Sequence, residues 1–412
     1  ILLVAIMVGV CYSFFVYKKQ QDIPVDDTGD TTQTPEDPNK PSNPSTPSDP
    51  SGTATGSASE ISSADLSIHF LELGVHNAGD CVLIKCGNTE VLIDAGAKKA
   101  FAPTQRMLDY VASYCTDGVL EYVIATHAHE DHIAGLVGQK KGSTRTGFLY
   151  QYKIGTIIQF ARNNTTSGVY NDYVDAVKAC KANVYTALDC TKGENGAQAT
   201  YYLDEAQTIS MNILYQEYYE KKSSSENNYS VCMLLTQQLG EKQNNYLFTG
   251  DLESAGEKSL VKENPNLPHC VLYKGGHHGS STSSSDELLN KITPENIAIC
   301  TCAGTYEYAK KPNAVVGEFH PEYALNTFPT QEAIDRMSKH TEKIYITTLG
   351  VINEDYSTKE FVSMNGDIVF YYGTGVEETE KRLKLWCSNN TTILKDTEWF
   401  KENRTWNGKT TG

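Results

Sequence analysis

The stretch Thr126-His127-Ala128-His129-Glu130-Asp131-His132 constrains this chain more than any other. It follows a short β-rich run at 121–125 and precedes Ile133-Ala134-Gly135, where a helix can start. On extended backbone, side chains two apart point the same way, so His127 and His129 can share one cation. A turn then lets Asp131 and His132 face a second cation close by. Imidazole nitrogen and carboxylate oxygen are ligands that zinc takes, and a catalytic site keeps a position open for water. Three histidines and an aspartate within six residues make a poor core, because each buried polar group needs a partner.

The surrounding pattern is of short strands separated by glycine-rich turns, with helices between them. Strands are predicted at 67–73, 81–86, 89–93, 121–125, 153–158, 183–186, 208–215, 229–236, 246–248, 270–273, 297–302, 343–348 and 367–372. Helical spacing falls at 104–115, 170–181, 254–262, 284–289 and 330–339. Two runs of strands, each followed by helices, predict an α/β chain with two packed sheets and helices outside.

Behind its strand, His-x-His-x-Asp-His resembles the signature of the metallo-β-lactamase superfamily. Further elements follow in that family's order: Val91-Leu-Ile-Asp94-Ala-Gly96, Leu247-Phe-Thr-Gly250-Asp251, and Tyr273-Lys274-Gly-Gly-His277-His278-Gly279-Ser280. Phe70-Leu-Glu-Leu-Gly74-Val-His-Asn-Ala-Gly79-Asp80-Cys-Val-Leu-Ile and the Lys-Gly-Gly-His-His-Gly-Ser run narrow the likeness. They resemble the extracellular domain of the DNA-uptake channel protein ComEC and its stand-alone relatives, a group that includes surface phosphorylcholine esterases. The likeness covers roughly residues 66–375. It implies a four-layer αββα metallo-β-lactamase sandwich holding one or two Zn2+ per chain, with Mn2+ as the alternative. The implied ligands are His127, His129, Asp131, His132, Asp251 and His278, with Asp251 bridging two metals.

The same resemblance gives Asp131, Asp251 and His277 the catalytic roles, His277 meeting the substrate's phosphoryl oxygens or leaving group. Asp94 is expected to orient the metal loop. Asn228, Lys274 and Ser280 are candidates for supporting the site or meeting the substrate. One departure stands out: after His132 the next histidine is His269, so the family's intervening metal-binding histidine is missing. Asn227-Asn228-Tyr229-Ser230 occupies that stretch, and an amide carbonyl is a weaker zinc ligand than imidazole. A Tyr-rich loop at 306–323, with His320, is a candidate wall of the cleft.

The expected reaction is hydrolysis of a phosphodiester by a metal-activated water. The chain has no Gly-x-Ser-x-Gly elbow to supply a protein nucleophile. A lactonase or β-lactamase is the runner-up, and a surface binding module with a weakened metal centre is the reading from another class. Net charge is −16, and most of it falls on the residues after 63. Phosphate affinity comes mainly from Lys and Arg, so this balance disfavours nucleic acid as the substrate without excluding it. Oligomeric state has no signal in the sequence.

Residues 1–17 are uncharged and mainly apolar, at the lower limit for a membrane span, and are expected as an anchor or signal segment. Residues 18–63 are rich in Pro, Thr, Ser and Asp and read as a disordered spacer. Residues 64–375 are expected to form the hydrolase domain and 376–412 a polar C-terminal extension. This layout places the domain outside the cell, membrane-anchored or secreted, at a bacterial envelope. Ten of the eleven cysteines lie beyond the apolar segment and are expected mostly as buried thiols, with room for one or two bridges.

Overall fold

The computed structural model describes residues 54–142, 144–305, 327–352, 358–373 and 382–410. The expected anchor at 1–17, most of the spacer, and the 306–323 loop with His320 lie outside the described residues. No helix among the described residues is long and apolar enough to cross a membrane.

Two large mixed sheets form among the described residues. The first runs, edge to edge, through Ala54–Thr55, Leu383–Cys387, Ile368–Tyr372, Ser67–Phe70, Val82–Cys86, Thr89–Ile93, Val119–Ala125, Lys153–Gln159 and Asn183–Thr186. The second runs through Thr200–Tyr202, Ile209–Leu214, Cys232–Leu239, Lys242–Phe248, Leu272–Lys274, Ile297–Ala303, Ile344–Ile352 and Thr358–Ser363. Each sheet changes from antiparallel to parallel pairing part-way across: at Thr89–Ile93 with Val119–Ala125, and at Lys242–Phe248 with Leu272–Lys274. Parallel neighbours need crossovers, and helices supply them. Gln105–Tyr114 and Gly168–Cys180 serve the first sheet; Ser254–Glu263, Asp286–Ile292 and Gln331–Ser338 serve the second.

The sheets pack face to face. Phe70 of the first stacks on Phe248 of the second at 6.3 Å, and Tyr345 meets Phe370 edge-on at 6.0 Å. On its other face the second sheet presents Leu247, Tyr273, Ile297 and Ile346 to Leu260, Leu289, Ile334 and Met337 of its helices. Met107, Val111, Tyr173 and Ala176 bury the helices of the first sheet. The fold is therefore the αββα sandwich. Each fully buried Leu, Ile or Phe stabilises it by about 1.5–3 kcal/mol relative to exposure.

The domain reaches further at both ends than residues 64–375. Leu383–Cys387 pairs antiparallel with Ile368–Tyr372, and Ala54–Thr55 adds parallel beside it. Leu394, Trp399 and Phe400 sink into the core of the second sheet. Arg404, buried, donates to the Pro329 and Thr327 carbonyls. The C-terminal residues are thus part of the sandwich. Their apolar positions are spaced two apart in a charged context, which lowers the mean hydropathy of the stretch while leaving one strand face apolar. Among the described residues all ten cysteines are free thiols and no bridge forms.

Candidate metal centre

The parallel strands deliver the site, because in open α/β sheets the crevice lies beyond their carboxyl ends. Thr89–Ile93 runs into Asp94, Val119–Ala125 into His127, Lys242–Phe248 into Asp251, and Leu272–Lys274 into His277 and His278. The helix Glu130–Val137 starts inside the histidine motif with His129 at its N-cap, so Asp131 and His132 sit in its first turn. This differs from the expected turn followed by a helix near residue 133. Tight packing explains it: Gly135 N–H donates to the Ala95 carbonyl at 2.6 Å. A Cβ on Gly96 would lie 1.4 Å from the Asp131 carbonyl oxygen.

Asp94 is the anchor of this loop. Its carboxylate accepts Thr126 N–H at 2.8 Å and the Thr126 hydroxyl at 2.7 Å, and lies 2.8 Å from His132 Nδ1. With Nδ1 held there, Nε2 of His132 points at Asp251. Asp251 Oδ2 is the hub of the site, 3.0 Å from Nε2 of His132, 3.3 Å from that of His278, 3.7 Å from that of His277 and 3.9 Å from that of His127. His127 Nε2 also lies 3.0 Å from His129 Nδ1.

His277 and His278 are consecutive left-handed residues, φ 44° and 54°. Such non-glycine backbone costs on the order of 1–3 kcal/mol per residue and gathers at functional sites. Here it turns His277 toward the cleft and sets His278 Nδ1 2.8 Å from the Cys300 carbonyl. His278 Nε2 then faces Asp131 and Asp251, each at 3.3 Å.

Asp131, His132, Asp251 and His278 each offer one ligand atom within 4.8 Å of the others. His278 Nε2 and Asp251 Oδ1 are buried without a hydrogen-bond partner, as atoms reserved for a cation would be. The donor set suits a zinc-class ion. Burial opposes charge on all four groups, yet mutual attraction wins. Asp251 is held well below the usual carboxylate range by His132, His278 and His277. His132 and His278 are raised well above the usual imidazole value, chiefly by Asp251. His127 goes the other way, pushed well down by burial and by His132 and His129.

The structure redistributes the supporting candidates. Lys274 does not reach the cleft: both it and Asp80 are buried, and its ammonium sits 2.6 Å from Asp80 Oδ2. Asp80 Oδ1 in turn lies 3.3 Å from His278 Nδ1. Lys274 therefore backs His278 through Asp80 and does not line the cleft. Ser280 is buried, with its hydroxyl accepting Thr282 N–H at 3.0 Å. Asn228 donates to Ser223 Oγ away from the cleft, and its neighbour Asn227 faces inward, Nδ2 3.4 Å from His277 Nδ1. The turn Glu226–Tyr229 makes this choice, since residues so close around a 3-10 helix point in different directions.

Sequence reasoning also passed over Glu226, which is buried and accepts Ala128 N–H, between the two histidines, at 3.3 Å. No motif marked it. Asp80 had a signal, the Gly79-Asp80 pair at the end of the Phe70 motif. The cleft over the site has a volume of about 480 Å³ and is lined by His129, Asp131, Asn227, His277, Lys98 and Phe328, among others.

The metallo-beta-lactamase superfamily model matches residues 75–141, which hold the Gly79-Asp80 turn, Asp94 and the whole histidine motif. Competence protein ComA of Neisseria gonorrhoeae is 56% identical over 50 residues, 12% of this chain and 7% of that protein. ComE operon protein 3 of Bacillus subtilis (strain 168) is 36% identical over 87 residues, 21% of this chain and 11% of that protein. Over these residues the chain resembles the metallo-β-lactamase superfamily and, within it, ComEC-like proteins. The chain spans only about a tenth of the length of those curated relatives. Among solved structures it is similar to the metallo-beta-lactamase fold protein YhfI from Bacillus subtilis, at 11% identity and TM-score 0.34, covering 73% of this chain and 100% of that one. It is also similar to a long form RNase Z from yeast, at 10% identity and TM-score 0.37, covering 64% of this chain and 40% of that one. Both likenesses are distant.

Proposed function

We propose that this chain is an extracellular metal-dependent hydrolase that cleaves a phosphodiester of small or cell-surface type, held at the envelope by its N-terminal segment. The observation that carries the reading is Asp251 Oδ2, which four imidazole nitrogens surround at 3.0–3.9 Å beneath an open cleft. Asp131, His132, Asp251 and His278 would hold one Zn2+ (or Mn2+). His127 and His129, with Asp251, would hold a second, more weakly for want of the missing histidine. Bound there, such ions lower the pKa of a water and offset charge on a phosphoryl oxygen.

The chain's own groups do the rest. Asp94, Asp80 and the Cys300 carbonyl fix the ring orientations of His132 and His278. His277, held by Asn227 and Thr282, meets the phosphoryl oxygens or the leaving group. Lys98 at the cleft mouth favours an anionic substrate. Walls carrying Glu130 and Asp131 beside that single lysine disfavour a long polyanion such as duplex DNA.

The test is metal content together with hydrolysis of bis(p-nitrophenyl) phosphate, with and without chelator. One to two ions per chain and chelator-sensitive turnover are expected. Asp251→Asn should lose metal and turnover together, and His277→Ala should lose turnover while keeping the metal. A folded protein refilled with zinc or manganese that binds no metal and turns over no diester overturns the proposal.

A further inference from the structure

The strand Val119–Ala125 that leads into His127 begins, at its opposite end, beside another group of ligand-bearing side chains. Glu90, on the neighbouring parallel strand, is 2% exposed. Its Oε1 is paired with Lys85, while Oε2 is buried without a hydrogen-bond partner. Cys115 closes the helix Gln105–Tyr114 and is 3% exposed. Its sulfur lies 2.8 Å from the Val119 carbonyl and 3.9 Å from Asp117 Oδ1. Glu90, Cys115 and Asp117 each bring one ligand atom within 4.8 Å of the other two.

The field at this spot favours a cation. The helix ends here and presents its negative pole. Burial and the carboxylates of Glu90, Asp117 and Glu121 push the Cys115 thiol up to about 12. Lys85 meets the charge of Glu90 at Oε1 only, so Oε2 keeps an unmet bonding demand in the interior that a cation would satisfy.

We propose that Glu90, Cys115 and Asp117 form a separate divalent-cation site, distinct from the cleft and of the zinc class because it pairs a thiolate with carboxylates. Asp117 is exposed, so water completes the coordination from that side. On binding, the Cys115 S–H bond breaks, its proton leaves to solvent and a sulfur–metal bond forms, with no change of oxidation state. The ion ties the end of Gln105–Tyr114 to the start of the strand that positions His127.

This site differs from the catalytic cluster in having sulfur, so the two can be read apart. The metal-free chain, kept reduced, is titrated with Co2+ and watched for thiolate-to-cobalt charge-transfer absorption. The band should reach the intensity of one thiolate-bound cobalt per chain and vanish in Cys115→Ser; in Asp251→Asn, where the cleft site is lost, it should persist and saturate at lower added cobalt. Asp117→Asn should weaken the affinity read from the band by about 10-fold or more. Absence of the band in the unsubstituted chain, or its full survival in Cys115→Ser, overturns the site. Should Cys115→Ser not fold, Asp117→Asn decides on an exposed side chain, and unchanged affinity there overturns the proposal.

Discussion

Lys274 and Asp80 show how a buried ion pair can serve a site it does not enter. Neither charge has water to solvate it, so each depends on the other and on nearby dipoles, including the Gly250 and Gly275 carbonyls that Lys274 reaches at 3.2 Å. Removing one partner leaves the other charged and buried. Lys274→Met is therefore expected to destabilise the fold by about 3–5 kcal/mol in chemical denaturation. The double variant Lys274→Met/Asp80→Asn, with no stranded charge, should recover much of that loss. Equal destabilisation in the single and double variants would mean that the pair is not coupled.

At the scale of elements, the last strand and the helix after it decide where the domain ends. Leu383–Cys387 covers one edge of Ile368–Tyr372 with a full antiparallel ladder. The buried rings of Trp399 and Phe400, in the helix Glu398–Asn403, close the core beneath the second sheet. A chain ending at residue 375 loses both and gains an unpaired edge, a known route to association. It is expected to aggregate or to bind hydrophobic dyes strongly, whereas a chain ending after residue 410 stays monodisperse in size-exclusion chromatography. Equal behaviour of the two would show that the C-terminal strand is dispensable.

For the molecule as a whole, acid stability follows from a histidine far from any chemistry. His69 is fully buried between Tyr110 and Ser67, each 2.8 Å from a ring nitrogen. Burial, with a smaller push from Lys85, lowers its pKa to about 3. The unfolded chain, near 6.5, takes up a proton that the folded one refuses, so stability falls as pH drops from about 6.5 toward 3. At pH 5 the loss from this residue is about 2 kcal/mol. His69→Gln should flatten the fall in unfolding free energy between pH 6.5 and 4 relative to the unsubstituted chain, and an unchanged slope would remove His69 from the account.

The sequence by itself determined the likeness to the metallo-β-lactamase superfamily and the His/Asp cluster. His127 to His132, Asp94, Asp251 and the His277-His278 pair are short-range patterns whose spacing relative to strand ends leaves few folds that can bring them together. It also determined most core strands, because alternation and β-branched runs are local signals. Tertiary structure decided the rest. Whether Asn227 or Asn228 faces the cleft depends on a single 3-10 turn, and a one-residue shift there has no compositional mark. That Lys274 turns inward to Asp80 follows from contact between the two sheets, with the partners 194 positions apart in the chain. The C-terminal strand reads as polar until it is seen with one face against Ile368–Tyr372. Pairing partners, and the side on which a half-apolar segment is buried, are long-range choices made by the packed core.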